Sequence, residues 1–430
     1  MNKIRKFQEH LRNWLGTSSK FKWYRRLIWV ISFSLAAYFL IKGAPFCILT
    51  SEGESAFNSG QYLKAESLFQ RALTEANSFG EGDPRLAKAL NNLAVDYLAL
   101  GKYGLAEELL QRCVSLTSKH MGANRPEIAM SLSSLAAVYC REGKYEQSRS
   151  TYEKALNFWD ERIRRADDLK RATILNGFGK LYRDEGQYDK ATDLYNQALA
   201  IQTKQLGAND AANAPILANL GGVKRDQGKY AESEKYYTKA WKLDEAVFGA
   251  EHPHTLTDVN DIACLYRDQG NYAVAEPLFE QALRLRRKVL GPGHPLCAKT
   301  LKGLAENNEY RGRLKEAESQ LKQAAAIEEA SLGNEHPDLA TTLNLLGELY
   351  VKQGKNQEAQ AALSRAIAIR QKVLPGNHPD LARSFLNRAK LDLRAGRLEA
   401  AQTDYKRSVQ ILETTQGKEH PSTPSRMQCL

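Results

Sequence analysis

Apolar and small residues recur along this chain in a block of fixed length, clearest at Leu332–Leu374. There Leu343, Leu346 and Tyr350 share one helical face, Gly354 interrupts the pattern, and Ala359, Leu363 and Ala366 share a face of a second helix. The interrupting glycine returns as Gly60, Gly101, Gly143, Gly186, Gly228, Gly270, Gly312, Gly354 and Gly396, at intervals of 41, 42, 43 and then 42 five times. A fixed period of this size predicts stacked helix-turn-helix units that bury a continuous core only against their neighbours.

The residues around each marker glycine predict how the helices pack. Five places after it stand Ala65, Ala106, Ser148, Ala191, Ser233, Ala275, Ala317, Ala359 and Ala401. Twelve places after it stand Ala72, Cys113, Ala155, Ala198, Ala240, Ala282, Ala324, Ala366 and Ser408. Between them, nine places after, a large residue recurs: Phe69, Leu110, Tyr152, Tyr195, Tyr237, Phe279, Leu321, Leu363 and Tyr405. Small residues flanking one filler specify close helix–helix contact. The first helix of each unit opens on proline at Pro84, Pro126, Pro253, Pro295, Pro337 and Pro379, where a missing N–H and a fixed φ cost nothing. The junctions near Asp168 and Asp210 lack that proline. The histidines His252, His294, His336 and His378 lie one whole unit apart, so they mark junctions and do not form a metal cluster.

Charge changes the picture only at one end. The chain of 430 residues carries +11, but residues 1–26 hold eight Lys/Arg against Glu9, a net +7, leaving +4 for the rest. Leu27–Ile41 follows with no charge in fifteen residues. As a helix it is roughly 22 Å long, and Trp23, Tyr24 and Lys42 are suited to extend it to the ~30 Å of a bilayer core. We therefore expect a basic cytosolic tail over 1–26 and a transmembrane signal-anchor over 27–46. The array over 47–415 then lies on the extracytoplasmic side, periplasmic or luminal, and 416–430 form a disordered tail. The first helix of the array is expected to start near Ile48–Leu49. A cleaved signal peptide, releasing a secreted protein, is the rival reading. A basic end beside an apolar run argues for a lipid partner and against nucleic acid. Six cysteines show no CxxC spacing, no phosphate-binding loop is present, and no cofactor or catalytic constellation is read.

The stretches LNNLAVDYLALGKY (Leu90–Tyr103) and AEPLFEQAL (Ala275–Leu283), with the LGxxHP junctions, resemble the tetratricopeptide repeat in the 42-residue form found in kinesin light chains. The resemblance covers about Ile48 to Thr415 and implies an all-α superhelical solenoid of about nine helix-turn-helix repeats, here preceded by one N-terminal transmembrane helix. It also implies a protein-binding scaffold without enzymatic activity. In that family the first helix of each unit lines a concave groove for extended peptides, at positions three, six and seven before the marker glycine. The candidate groove residues are Asn176, Lys180, Arg183, Arg225, Asn260 and Arg267, whose amides and guanidinium groups suit a peptide backbone and an acidic or carboxylate-bearing side chain. Glu306, Glu309 and Glu348 would reverse the sign further along. Asp stands beside each arginine, so solvated ion pairs are the competing use of these charges. The alternative function is an accessory or assembly subunit of a membrane or envelope enzyme complex.

Overall fold

The computed structural model describes residues 44–120, 126–160 and 168–415. They form antiparallel helix pairs stacked in sequence order, with no strand among them. The helices of repeats one to three are α1 (44–58), α2 (Tyr62–Asn77), α3 (Pro84–Ala99), α4 (Tyr103–His120), α5 (Pro126–Arg141) and α6 (Tyr145–Phe158). Repeats four to six contain α7 (Leu169–Asp184), α8 (Tyr188–Leu206), α9 (Ala214–Asp226), α10 (Tyr230–Phe248), α11 (Pro253–Asp268) and α12 (Tyr272–Leu290). Repeats seven to nine contain α13 (Pro295–Tyr310), α14 (Leu314–Leu332), α15 (Pro337–Gln353), α16 (Asn356–Val373), α17 (Pro379–Arg394) and α18 (Leu398–Thr415).

Helix α1 already includes residues 44–46, assigned above to the end of the apolar segment. Phe46 is buried and meets Phe79 edge-on at 6.1 Å, so the array's core begins there and not at Ile48–Leu49. The rest of the expected membrane segment, the basic tail and residues 416–430 lie outside the described residues. Among the described residues no helix is long and apolar enough to cross a membrane.

Each unit turns at its marker glycine, which takes a left-handed φ, from +67° at Gly60 and Gly101 to +81° at Gly270. Among the described residues, the junctions that open repeats two and four to nine are each closed by a side-chain cap. His336 Nδ1 accepts the Asp338 amide at 3.0 Å, and His294 and His378 do the same at 3.1 Å. The junctions without proline keep the cap with aspartate: Asp168 Oδ1 accepts from the Lys170 amide at 2.9 Å and Asp210 Oδ1 from Ala212 at 2.8 Å. The junction histidines are thus neutral caps on α11, α13, α15 and α17.

The packing follows the small–large–small pattern. Ala359, Leu363 and Ala366 are wholly buried, as are Ala275, Phe279 and Ala282. A third small position escaped the sequence reading. Seven places before the marker stand Gly53, Ala94, Ala136, Gly179, Gly221, Ala263, Ala305, Gly347 and Ala389, all buried. A Cβ on Gly347 would lie 2.5 Å from Leu363, and one on Gly179 would lie 2.7 Å from Tyr195. This register is the seat of the filler side chain within its own repeat. It does not line a groove, as expected above.

The coil closes on itself. The turns of repeats one, two and three press on the junctions that open repeats seven, eight and nine, an offset of six repeats. A Cβ on Gly60 would lie 2.4 Å from His294, one on Gly101 2.4 Å from Pro337, and one on Gly143 2.9 Å from His378. His336 Nε2, carrying the proton because Nδ1 accepts, donates to the Ala99 carbonyl at 2.9 Å. Leu374, at the end of repeat eight, is buried within the apolar cluster of repeats one to three. The result is a superhelix whose first and last thirds enclose an interior channel.

Candidate functional site

First helices of the repeats face this channel. One cavity, of ≈ 640 Å³, lies between repeats one to four and repeats seven and eight. Phe57, Val95 and Leu98 form an apolar wall, and Arg141, Lys180, Lys299 and Lys302 face Glu328 and Asp338. Four cations against two carboxylates leave an excess of two positive charges. Lys302 is held by buried Glu328 at 2.8 Å, and Lys299 lies 3.8 Å from Asp261. Arg141 reaches only the Tyr103 hydroxyl, at 3.5 Å. Among the described residues neither Arg141 nor Lys180 has a carboxylate at ion-pair distance.

A second cavity, of ≈ 590 Å³, continues from the first past Arg141 toward repeat nine. There Arg141, Arg183 and Arg383 balance Asp184, Asp338 and Asp380, with Tyr103, Tyr145 and Tyr188 beside them. The local field is visible in the carboxyl groups. Burial pushes Asp338 up, yet the nearby cations Lys302 and Arg141 outweigh it and hold the group below the usual carboxylate range. Asp380 is lowered in the same way, burial being overcome by Arg370, Arg383 and Arg141. The channel therefore favours negative charge.

The six residues read from sequence separate into two groups. Lys180 lines the larger cavity and Arg183 the smaller. Of the other four, Asn176, Arg225 and Arg267 serve contacts between neighbouring repeats, and Asn260 is buried within its own. Asn176 accepts from Asn219 at 2.9 Å, and Asn260 is buried with its carbonyl oxygen unpaired and its amide 3.8 Å from Cys264 Sγ. The arginines form a ladder in which each grips the carboxylate of the next repeat. Arg183 holds Asp226 at 2.6 Å, Arg225 lies 3.5 Å from Asp268, and Arg267 holds Glu306 as well as its neighbour Asp268. Gly222 gives the Arg183 guanidinium room, since a Cβ there would lie 2.5 Å from it. Glu309 is paired with Lys352, and Glu348 accepts from Asn387 at 3.4 Å. Arg141, Lys299 and Lys302 went unread. Lys302 had a signal, for it shares the register of Asn176 and Asn260, which stands ten places before the marker and not seven as counted above. Arg141 and Lys299 become neighbours only through coil closure.

A family model described as tetratricopeptide repeat matches residues 46–119, 127–204, 211–288, 257–330, 310–372 and 338–414. The chain belongs to the tetratricopeptide repeat family. Its repeats are of the kinesin-light-chain-like kind. Similar solved structures include BtubC (BKLC) from P. vanneervenii, with 22% identity over 54% of this chain and 91% of that one and a TM-score of 0.42. A putative kinesin light chain from Podosopora anserina with nearly identical repeats shows 23% identity over 48% and 98%, with a TM-score of 0.39. A Rap protein complexed with Competence and Sporulation Factor shows 14% identity over 86% and 98%, with a TM-score of 0.54. At these identities the likeness is one of fold. No curated protein matches the sequence.

Proposed function

We propose that the protein is a membrane-anchored interaction scaffold that holds extended, carboxylate-bearing peptide segments of other proteins inside its coil. The observation that carries this reading is the ≈ 640 Å³ cavity with its excess of positive charge and the carboxylate-free Arg141 and Lys180. Arginine offers a fork to a carboxylate, and lysine a mobile point charge. The fold is that of a protein-interaction scaffold, and the Rap protein of similar fold is complexed with a factor. The anchor reading is supported by the fifteen uncharged residues of Leu27–Ile41 behind eight basic residues, an asymmetry that favours a cytosolic N-terminus with the array across the membrane.

The test is peptide capture by the full chain in detergent or lipid. Arg141→Glu with Lys180→Glu should abolish capture of acidic peptides while circular dichroism stays that of the wild type. Arg225→Glu with Arg267→Glu, whose guanidinium groups already face Asp268 and Glu306, should leave capture in place. Equal capture by all three proteins would refute the channel as the site. Protease access to the array in intact cells, compared with opened ones, tests its compartment.

A further inference from the structure

One register at the end of each second helix is apolar in five consecutive repeats: Leu206, Phe248, Leu290, Leu332 and Leu374, each 42 residues from the next. Its exposure is not uniform. Leu332 and Leu374 are buried, at 6% and 7%, because the first turn of the coil covers the junctions they belong to. Leu206 and Phe248 are 39% and 43% exposed, and Val247 beside them is 58% exposed. The Phe248 ring is presented on the His252 ring at a centroid distance of 4.5 Å.

The seam tells which way these side chains look. Turns of repeats one to three support the junctions of repeats seven to nine, so the junctions of repeats one to six form the opposite, uncovered end of the coil. Leu206, Val247 and Phe248 stand on that end face. So does residue 44, the first described residue of helix α1, at the junction edge of repeat one. The chain preceding it, with the uncharged run Leu27–Ile41, therefore joins the coil at the face that carries Leu206, Val247 and Phe248.

We propose that this end face rests on the lipid bilayer, with Leu206, Val247 and Phe248 seated among the headgroups and upper acyl chains. The proposal rests on the anchor reading above and adds an orientation to it: the coil stands on its junction edge, with the marker-glycine turns of repeats seven to nine turned away from the membrane. Apolar side chains on a rim close to a membrane gain by leaving water for the interface. Only residues 42 and 43 lie between the uncharged run and the first described residue of α1, too short a stretch to hold the face far from the lipid.

The experiment uses the full chain reconstituted in vesicles of equal phosphatidylcholine and phosphatidylglycerol. A benzophenone side chain is introduced singly at positions 34, 206, 247 and 248, and at 310 and 398 on the turn edge, and adducts are identified by mass after illumination. Lipid adducts at 34, 247 and 248, with none at 310 and 398, are expected. Lipid adducts at 34 with none at the rim would overturn the proposal and leave the anchor standing. Absence of lipid adducts at 34 would overturn both. Adducts from 248 to a second protein chain would overturn it in favour of stacking between copies.

Discussion

Gly101→Ala probes whether the seam between repeats two and eight holds the coil closed, and Gly228→Ala is its internal control. Both glycines turn a repeat at left-handed φ, +67° and +71°, so an added methyl costs each of them roughly 1–2 kcal/mol of backbone strain. The surroundings differ. A Cβ at 228 meets nothing within 4 Å, whereas one at 101 lies 2.4 Å from Pro337 Cδ and 3.3 Å from the His336 ring. The proline ring is part of the helix N-terminus and cannot swing aside, so the seam must part. Parting gives up the His336–Ala99 hydrogen bond, worth about 1 kcal/mol net, and uncovers Leu374, worth about 2 kcal/mol. Gly101→Ala should therefore be about 3 kcal/mol worse than Gly228→Ala, and in small-angle scattering only the former should increase the radius of gyration. Helical content should stay unchanged in both, because contacts within each repeat are untouched. If the two variants have the same melting temperature and the same radius, the coil is open in solution and the channel is not a single enclosed site.

Two further measurements address the interior. Ala282→Leu adds three carbons at a position with no exposure, against the Phe279 filler, and overpacking should cost about 1–3 kcal/mol; a thermal melt matching the wild type would contradict the packing register. Asp258 is buried beside Asp244, and its carboxyl is pushed up to about 8, first by burial and then by the Asp244 charge. Its folded pKa lies above the unfolded value near 3.9, so the folded state holds a proton that the unfolded state has lost, and stability falls as pH rises between about 4 and 8. Asp258→Asn should remove that dependence: the free energy of unfolding should agree with the wild type at about pH 4 and exceed it by a few kcal/mol at about pH 8.5. A gap of the same size at both pH values would show that the pair is not the cause.

Much of the fold was legible residue by residue. The marker glycines, the prolines and the small–large–small triplets are each local requirements: a positive φ, a missing N–H, a helix pair in close contact. Local requirements leave marks at fixed spacing, so Leu332–Leu374 alone predicted α15 and α16 to within a residue or two. The groove was less legible. Arg183, Arg225 and Arg267 occupy one register on first helices, but the sequence does not show that Asp226, Asp268 and Glu306 come within reach across the repeat boundary. The register seven before the glycine was misread because it is small in every repeat, the signature of a packing seat.

The sequence by itself determined the period, the helix boundaries, the caps and the charge asymmetry of the N-terminal end, since all of these arise from contacts within one repeat or between adjacent ones. Only the tertiary structure decided that repeat one meets repeat seven. The angle between successive repeats is set by small differences in side-chain volume, and six of them add before the coil closes. That sum brings Arg141 and Lys180 opposite Lys299 and Lys302, buries Leu374 of repeat eight and leaves Phe248 of repeat five exposed, although the two occupy the same register.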